Sequence, residues 1–205
     1  MRDVRTAVLV SGGGTNLQAL LDAEKAGKLG NARICAVISS RPGAFALERA
    51  ARAGVPAFTV EKASLGQERF EAGIIALLEE NRIELVVLAG FLSVLSADFT
   101  ARYPRRILNV HPSLIPSFCG KGFYGLRVHE AALEKGVKVT GATVHYVNEI
   151  PDGGEILLQK AVRVLPGDTP EKLQKRVMRQ AEWILLPKAV AMAAEEIAAG
   201  GKESK

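Results

Sequence analysis

Cysteine, aromatic residues and long apolar runs are all scarce in this chain. It has two cysteines, Cys35 in a predicted strand and Cys119 in a glycine-rich stretch. Two cannot build a disulfide framework, and neither has the partner spacing of a zinc site, so no structural metal is expected. Aromatics make up only 5% of the residues while alanine is abundant, which suits closely packed helices. No apolar run reaches membrane-spanning length, and the N-terminus is a charged lead-in to a strand rather than a signal segment. The expectation is a cytoplasmic protein without a membrane partner. The net charge of +5 comes without a basic block, because lysines and arginines are spread among glutamates along helical stretches. That pattern reads as a solvated surface rather than a nucleic-acid footprint, and it remains compatible with small phosphorylated substrates.

With 205 residues and 48% apolar content, one domain with a substantial core is expected. Residues 6–10 read as a buried strand and 11–16 as a loop, after which Leu17, Leu20 and Leu21 give helical spacing up to Gly27. Strands are predicted at 34–38, 56–60, 85–89 and from 107, alternating with helices at 44–53, 67–80 and 97–103. Such alternation argues for an α/β protein with a doubly wound, mostly parallel sheet covered on both faces. Further on, a glycine-rich loop at 117–125 precedes a helix at about 126–135. Strands at 137–146 and 156–164 are joined too closely for a crossover helix, which predicts an antiparallel C-terminal strand pair. Thr169, Pro170 and Glu171 form a good helix start. Pro187 should kink or interrupt that helix before it resumes at 189–198, and the tail from Gly200 should fray.

Three places carry chemistry. Gly12, Gly13, Gly14, Thr15 and Asn16 join a strand to a helix, where unobstructed backbone N–H groups suit a phosphate. The loop is not a P-loop, since no lysine precedes Ser or Thr, and it is a poor dinucleotide fingerprint because Leu17 replaces the third glycine. Arg41 could serve a 2′-phosphate, which keeps an NADP-dependent reductase open; a plain tight turn is the bland alternative. In the second place, Asn109 and His111 lie at i and i+2 at a strand end, so they share a face. Pro112 and Pro116 stiffen the backbone beyond the pair. A hydrogen-bonding amide beside a proton carrier suits chemistry at a carbonyl, although Asn109 could instead cap a turn and His111 be an ordinary loop histidine. The third is Asp152 in a Pro-Asp-Gly-Gly turn, ordinarily just a turn former. If that turn folds over the same sheet edge, the result is a kit for acyl or formyl transfer. His145 reads as a packed strand histidine, and His129 carries no assigned role.

Together, residues 10–18, Val87-Leu88-Ala89-Gly90-Phe91, the block Leu108-Asn109-Val110-His111-Pro112-Ser113-Leu114-Ile115-Pro116, and 141–147 through Asp152-Gly153-Gly154 resemble the phosphoribosylglycinamide formyltransferases. The likeness runs from about Val8 to Pro187. It implies a Rossmann-like formyltransferase fold in a single domain, 1–205, with ribonucleotide phosphate bound by the part up to about residue 110. The remainder would supply the folate-binding and catalytic loops. It implies transfer of a formyl group from 10-formyltetrahydrofolate to glycinamide ribonucleotide in purine synthesis, with these two small molecules as partners, no metal, and a monomer or homodimer. By the same resemblance Asn109, His111 and Asp152 are catalytic, Asp152 raising the pKa of His111. Gly14, Thr15, Asn16, Arg179 and Glu182 would hold the ribonucleotide. Gln67, Leu92, Ser93, Val94, Leu95, Asn109, Asn148, Glu149, Ile150, Pro151 and Asp152 would meet the folate. Ser93 stands where many members have arginine, and Gln67 replaces an arginine expected near the folate tail, with Arg69 close by. Residues 119–125 differ from the commoner lid, so no contacts are carried over there. Formyltetrahydrofolate hydrolase is the nearest rival, expected to carry an added N-terminal domain. Methionyl-tRNA formyltransferase would add a C-terminal one, and a non-catalytic nucleotide-binding module is the alternative of another class.

Overall fold

The computed structural model describes residues 2–200. Seven strands form one sheet: β1 (Val4–Val10), β2 (Ala32–Ser39), β3 (Ala57–Thr59), β4 (Leu85–Leu88), β5 (Ile107–His111), β6 (Val139–Tyr146) and β7 (Ile156–Arg163), in the order β3-β2-β1-β4-β5-β6-β7. The first five pair in parallel, and β6 runs antiparallel to both β5 and β7. Alternate side chains of β1 enter different cores. Val8 and Val10 pack with Leu17, Leu173, Val177 and Leu186, whereas Ala7 and Leu9 pack with Phe70, Ile74, Leu78 and Phe99. The sheet is thus covered on both faces, as its apolar strands predict.

The helices are α1 (Thr15–Lys25), α2 (Phe45–Arg52), α3 (Lys62–Glu80), α4 (Ala97–Arg102), α5 (Leu126–Glu134), α6 (Pro170–Val177) and α7 (Trp183–Gly200). The predicted start of α6 is borne out, with the Thr169 hydroxyl accepting the Lys172 N–H at 3.3 Å and Pro170 in the first turn. α3 begins five residues earlier than predicted because a short N-terminal piece joins it across Gly66, whose φ of 72° and ψ of 173° are not helical. The expected interruption at Pro187 is absent. Pro187 lies inside α7, and the irregularity falls upstream instead, as a π-helical segment at Met178–Glu182. The wider turn carries Glu182 into the interior. Gly200 closes α7, so the fraying expected there is not seen at that residue, and residues 201–205 lie outside the described ones.

Two strand neighbours come unusually close at Gly141. A Cβ there would sit 2.1 Å from the Lys160 carbonyl oxygen and 2.8 Å from Leu114 Cδ2. Gly141→Ala must therefore push β6 away from β7, at a cost of about 1–3 kcal/mol. Denaturant unfolding of the variant should show this as a lower midpoint; an unchanged midpoint would contradict the packing.

Candidate active site

The strand order reverses between β1 and β4, and a cavity of about 830 Å³ opens beyond the carboxyl ends of β1, β4 and β5. One part of its wall is the 12–16 loop. Gly14 adopts φ +69°, and a Cβ there would lie 2.7 Å from Ala46 Cβ, so only glycine fits. Gly12 and Gly13 have nothing within 4 Å of where a side chain would start, so packing does not explain them, but a ligand needing the backbone would. No acidic residue occupies the first turn of α1. Arg49 of α2 donates to the Gly13 carbonyl at 2.8 Å and to Gln18 at 3.0 Å, bringing a guanidinium to the loop. The cradle thus has N–H groups and positive charge, and it can hold a phosphate.

Another part of the wall is apolar. Leu92 and Val94 line it at 50% and 62% exposure, a large outlay of apolar side chain to leave open to water. Leu88, Leu95 and Val147 continue this surface, and the edge of the cavity is completed by Asn148, Glu149 and Pro151.

Between these parts stand Asn109, His111 and Asp152. β5 delivers the first two, while Asp152 arrives on the turn between β6 and β7, held at φ +55°. The two glycines after it are required: a Cβ at Gly154 would meet the Tyr146 oxygen at 1.8 Å, and one at Gly153 would meet Ile150 Cγ2 at 2.6 Å. His111 is 4% exposed. Its Nε2–H donates to the Phe118 carbonyl at 2.8 Å, so the neutral ring keeps its lone pair on Nδ1, 3.4 Å from Asp152 Oδ2. Asp152 Oδ2 also accepts the Gly120 N–H at 2.8 Å. Asn109 and His145 are cross-strand partners of β5 and β6. His145 donates Nδ1–H to the Tyr146 carbonyl at 2.9 Å, leaving Nε2 to accept from Asn109 Nδ2 at 3.1 Å. The second Nδ2 hydrogen faces Asp152 Oδ1 at 3.4 Å, long enough that a closer substrate oxygen could take it.

The electrostatics are set by burial. Burial lowers the pKa of His111 below the usual histidine range, although Asp152 and the Phe118 bond both pull it upward. The upward pull expected from Asp152 is therefore real but overtaken. For Asp152, burial acts to raise the pKa; the neighbouring His145 and His111 rings and the Gly120 N–H outweigh it and hold the carboxyl below its ordinary value. At neutral pH the site pairs a neutral imidazole with a carboxylate.

A family model described as formyl transferase matches residues 4–190. The chain belongs to the formyl transferase family. It is 42% identical over 205 residues to human trifunctional purine biosynthetic protein adenosine-3, covering all of this chain and 20% of that one. The chain thus spans about a fifth of that relative. It is 36% identical to the chloroplastic phosphoribosylglycinamide formyltransferase of Arabidopsis thaliana over 96% of this chain and 68% of the other. The crystal structure of glycinamide ribonucleotide transformylase 1 from Symbiobacterium toebii superposes with a TM-score of 0.88 at 42% identity, covering 95% of this chain and 89% of that one.

Most of the residues singled out from the sequence reach one cavity: Gly14, Thr15, Asn16, residues 92–95, Asn109, His111, Asn148, Glu149, Pro151, Asp152 and Glu182 all line it. Others do not. Gln67 donates to Glu71 at 2.6 Å and to the Val94 carbonyl at 3.0 Å, outside the lining. Arg179 is exposed on the π-helical segment, Ile150 is 57% exposed beneath the Asp152 turn, and Arg41 stays off the cavity wall. Sequence reading missed Arg49, Gln174 and Met178, which no motif marks. It also missed the part played by His145, which register with Asn109 would have revealed. His129 lines the cavity fully buried, with neither ring nitrogen partnered among the described residues, and burial brings its pKa down to about 4. No group of three or more His, Cys, Asp or Glu side chains is placed to hold a metal among the described residues.

Glu182, 6% exposed, accepts from Asn16 Nδ2 at 2.7 Å. Burial pushes its pKa up to about 7, and the opposing pull of the Asn16 bond does not cancel it. A carboxyl whose folded pKa is raised binds its proton more tightly in the native state, so stability falls as pH rises from about 4.5 through about 7 and then levels. Glu182→Gln should abolish that slope and be the more stable form at pH 8 by about 3 kcal/mol. Unfolding measured without ligand at pH 5 and 8 checks this; parallel slopes in both proteins would contradict it.

Proposed function

We propose that this protein transfers the formyl group of 10-formyltetrahydrofolate to the amine of glycinamide ribonucleotide. The observation that carries the reading is the meeting of His111 Nδ1 with Asp152 at 3.4 Å beside the Asn109 amide, on the wall of a cavity that also holds a phosphate cradle and an apolar face. The cradle suits the ribonucleotide phosphate, and the exposed Leu92 and Val94 suit a flat ring. Glu182 and Asn16 stand beside the cradle for the ribonucleotide. In this reading the part up to about residue 110 supplies the cradle, and the later loops supply most of the chemistry. A cytoplasmic setting fits the free Cys35 and Cys119. All the groups invoked come from one chain.

The amine attacks the formyl carbon, forming the new C–N bond and leaving charge on the formyl oxygen. Asn109 Nδ2 donates to that oxygen. The neutral His111, with its lone pair on Nδ1, takes the proton that the amine loses, with Asp152 steadying the resulting imidazolium. Nδ1–H then faces the oxyanion. When the intermediate collapses, the bond to folate N10 breaks and the same proton passes to that nitrogen, so the residues return to their starting state. Burial is what keeps His111 free to accept at the outset.

The test follows the folate spectrum with the ribonucleotide present and then omitted. Turnover should require the ribonucleotide; equal turnover without it would make the protein a hydrolase, and binding without turnover would make it a nucleotide-binding module. Asn109→Ala, His111→Ala and Asp152→Asn should each lose about 10²-fold or more in kcat with an unchanged circular dichroism spectrum. A near-normal rate in any of them would remove that residue from the mechanism.

A further inference from the structure

The apolar wall at 91–95 is a short loop, and what holds it comes from two buried clamps. At its far end the Glu71 carboxylate, 7% exposed, accepts the Ser96 N–H at 2.7 Å and the Ser96 hydroxyl at 2.5 Å, while Gln67 bonds Glu71 and the Val94 carbonyl. At its near end the clamp is a single residue, Ser11. Its N–H donates to the Gly90 carbonyl at 3.1 Å, and its hydroxyl oxygen accepts the Leu92 N–H at 2.9 Å. That hydroxyl is 2.7 Å from the Ser40 hydroxyl, and the Ser40 N–H donates to the Val10 carbonyl at 3.0 Å, so Ser11 is braced from behind by the residue that follows β2. Ser11 itself is 4% exposed and does not line the cavity.

By position Ser11 belongs to the glycine loop, one residue before Gly12, and a sequence reading would attach it to phosphate. The geometry points to a different assignment: Ser11 is a positioning residue for the folate side of the site, fixing where Leu92 begins the apolar wall. This rests on the proposed formyl transfer. No cavity contact reaches the Ser11 side chain, whereas the partly buried Leu92 N–H has the Ser11 hydroxyl as its acceptor. Without that acceptor the Gly90–Leu92 turn loses its preferred form, since Gly90, at φ +70°, has ample freedom to adopt others. Folate binding then has to restore the wall, and the loss appears in folate affinity. The backbone of 12–16 keeps its own supports, the Ala46 N–H on the Gly12 carbonyl at 3.1 Å and Arg49 on Gly13, so the cradle stays in place.

Steady-state kinetics of Ser11→Ala with each substrate varied in turn separates the two assignments. The folate KM should rise about five- to tenfold, with the ribonucleotide KM and kcat each within about twofold of wild type. Ser11→Thr, which keeps the hydroxyl, should restore most of the folate KM. Ser40→Ala, which removes only the brace, should shift the folate KM in the same direction by a smaller factor, and it serves if Ser11→Ala does not fold. A rise confined to the ribonucleotide KM, an equal rise in both, or no change in a folded Ser11→Ala overturns the assignment. Absence of turnover in the wild type would instead overturn the proposed reaction. In that case calorimetric titration of tetrahydrofolate into wild type and Ser11→Ala still tests the clamp: weaker binding by the variant supports it and equal binding refutes it.

Discussion

The carboxylate of Asp152 is where four separate parts of the chain meet. His111 from β5, His145 from β6, Asn109 from β5 and the backbone of Gly120 all direct a nitrogen at it, at distances from 2.8 to 3.6 Å. A half-buried carboxylate needs donors, which the Gly120 N–H and the Asn109 amide supply, while His111 stands ready to pair with it once protonated. Satisfying Asp152 therefore draws together the β6–β7 turn, the end of β5 and the 117–125 loop, and the closure of one side of the cavity is the result. The two glycines after Asp152, where any side chain would strike backbone or Ile150, are the local means of making the turn tight enough.

The rest of the architecture supports that meeting. The parallel half of the sheet places the phosphate cradle and the apolar loop at strand ends, where an open α/β sheet leaves a crevice. The antiparallel half brings His145 opposite Asn109 and returns the chain to the same edge. The π-helical segment at Met178–Glu182 turns Glu182 inward against Asn16, so that the C-terminal helices share in the site as well as in the core. Single side chains do most of the linking, and Asn16, His145 and Glu182 among them are buried.

Much of this was legible from residue order. Buried strands such as 85–88 are unmistakable as apolar runs, and the i, i+2 spacing of Asn109 and His111 placed both on one face correctly. The short joint between β6 and β7 announced antiparallel pairing. What could not be read depends on which distant residues become neighbours. His145 looks like any packed histidine until the register sets it against Asn109, and Gln67 looks free to meet a ligand until Glu71 and the Val94 carbonyl occupy its amide. Pro187 was expected to kink or interrupt a helix, yet α7 runs through it and the irregular turn lies upstream. The direction of the His111 shift was also out of reach, since it turns on how deeply the ring is buried rather than on its neighbour's charge.

Formyl transfer by this route requires that the reactive nitrogen of His111 be Nδ1, unprotonated in the free protein and governed by Asp152. Side-chain ¹⁵N NMR of His111 across pH tests it most directly. The ring should be neutral with its hydrogen on Nε2, with a titration midpoint below that of an ordinary histidine and a still lower midpoint in Asp152→Asn. A neutral ring with its hydrogen on Nδ1, or a midpoint that Asp152→Asn leaves unmoved, would contradict it.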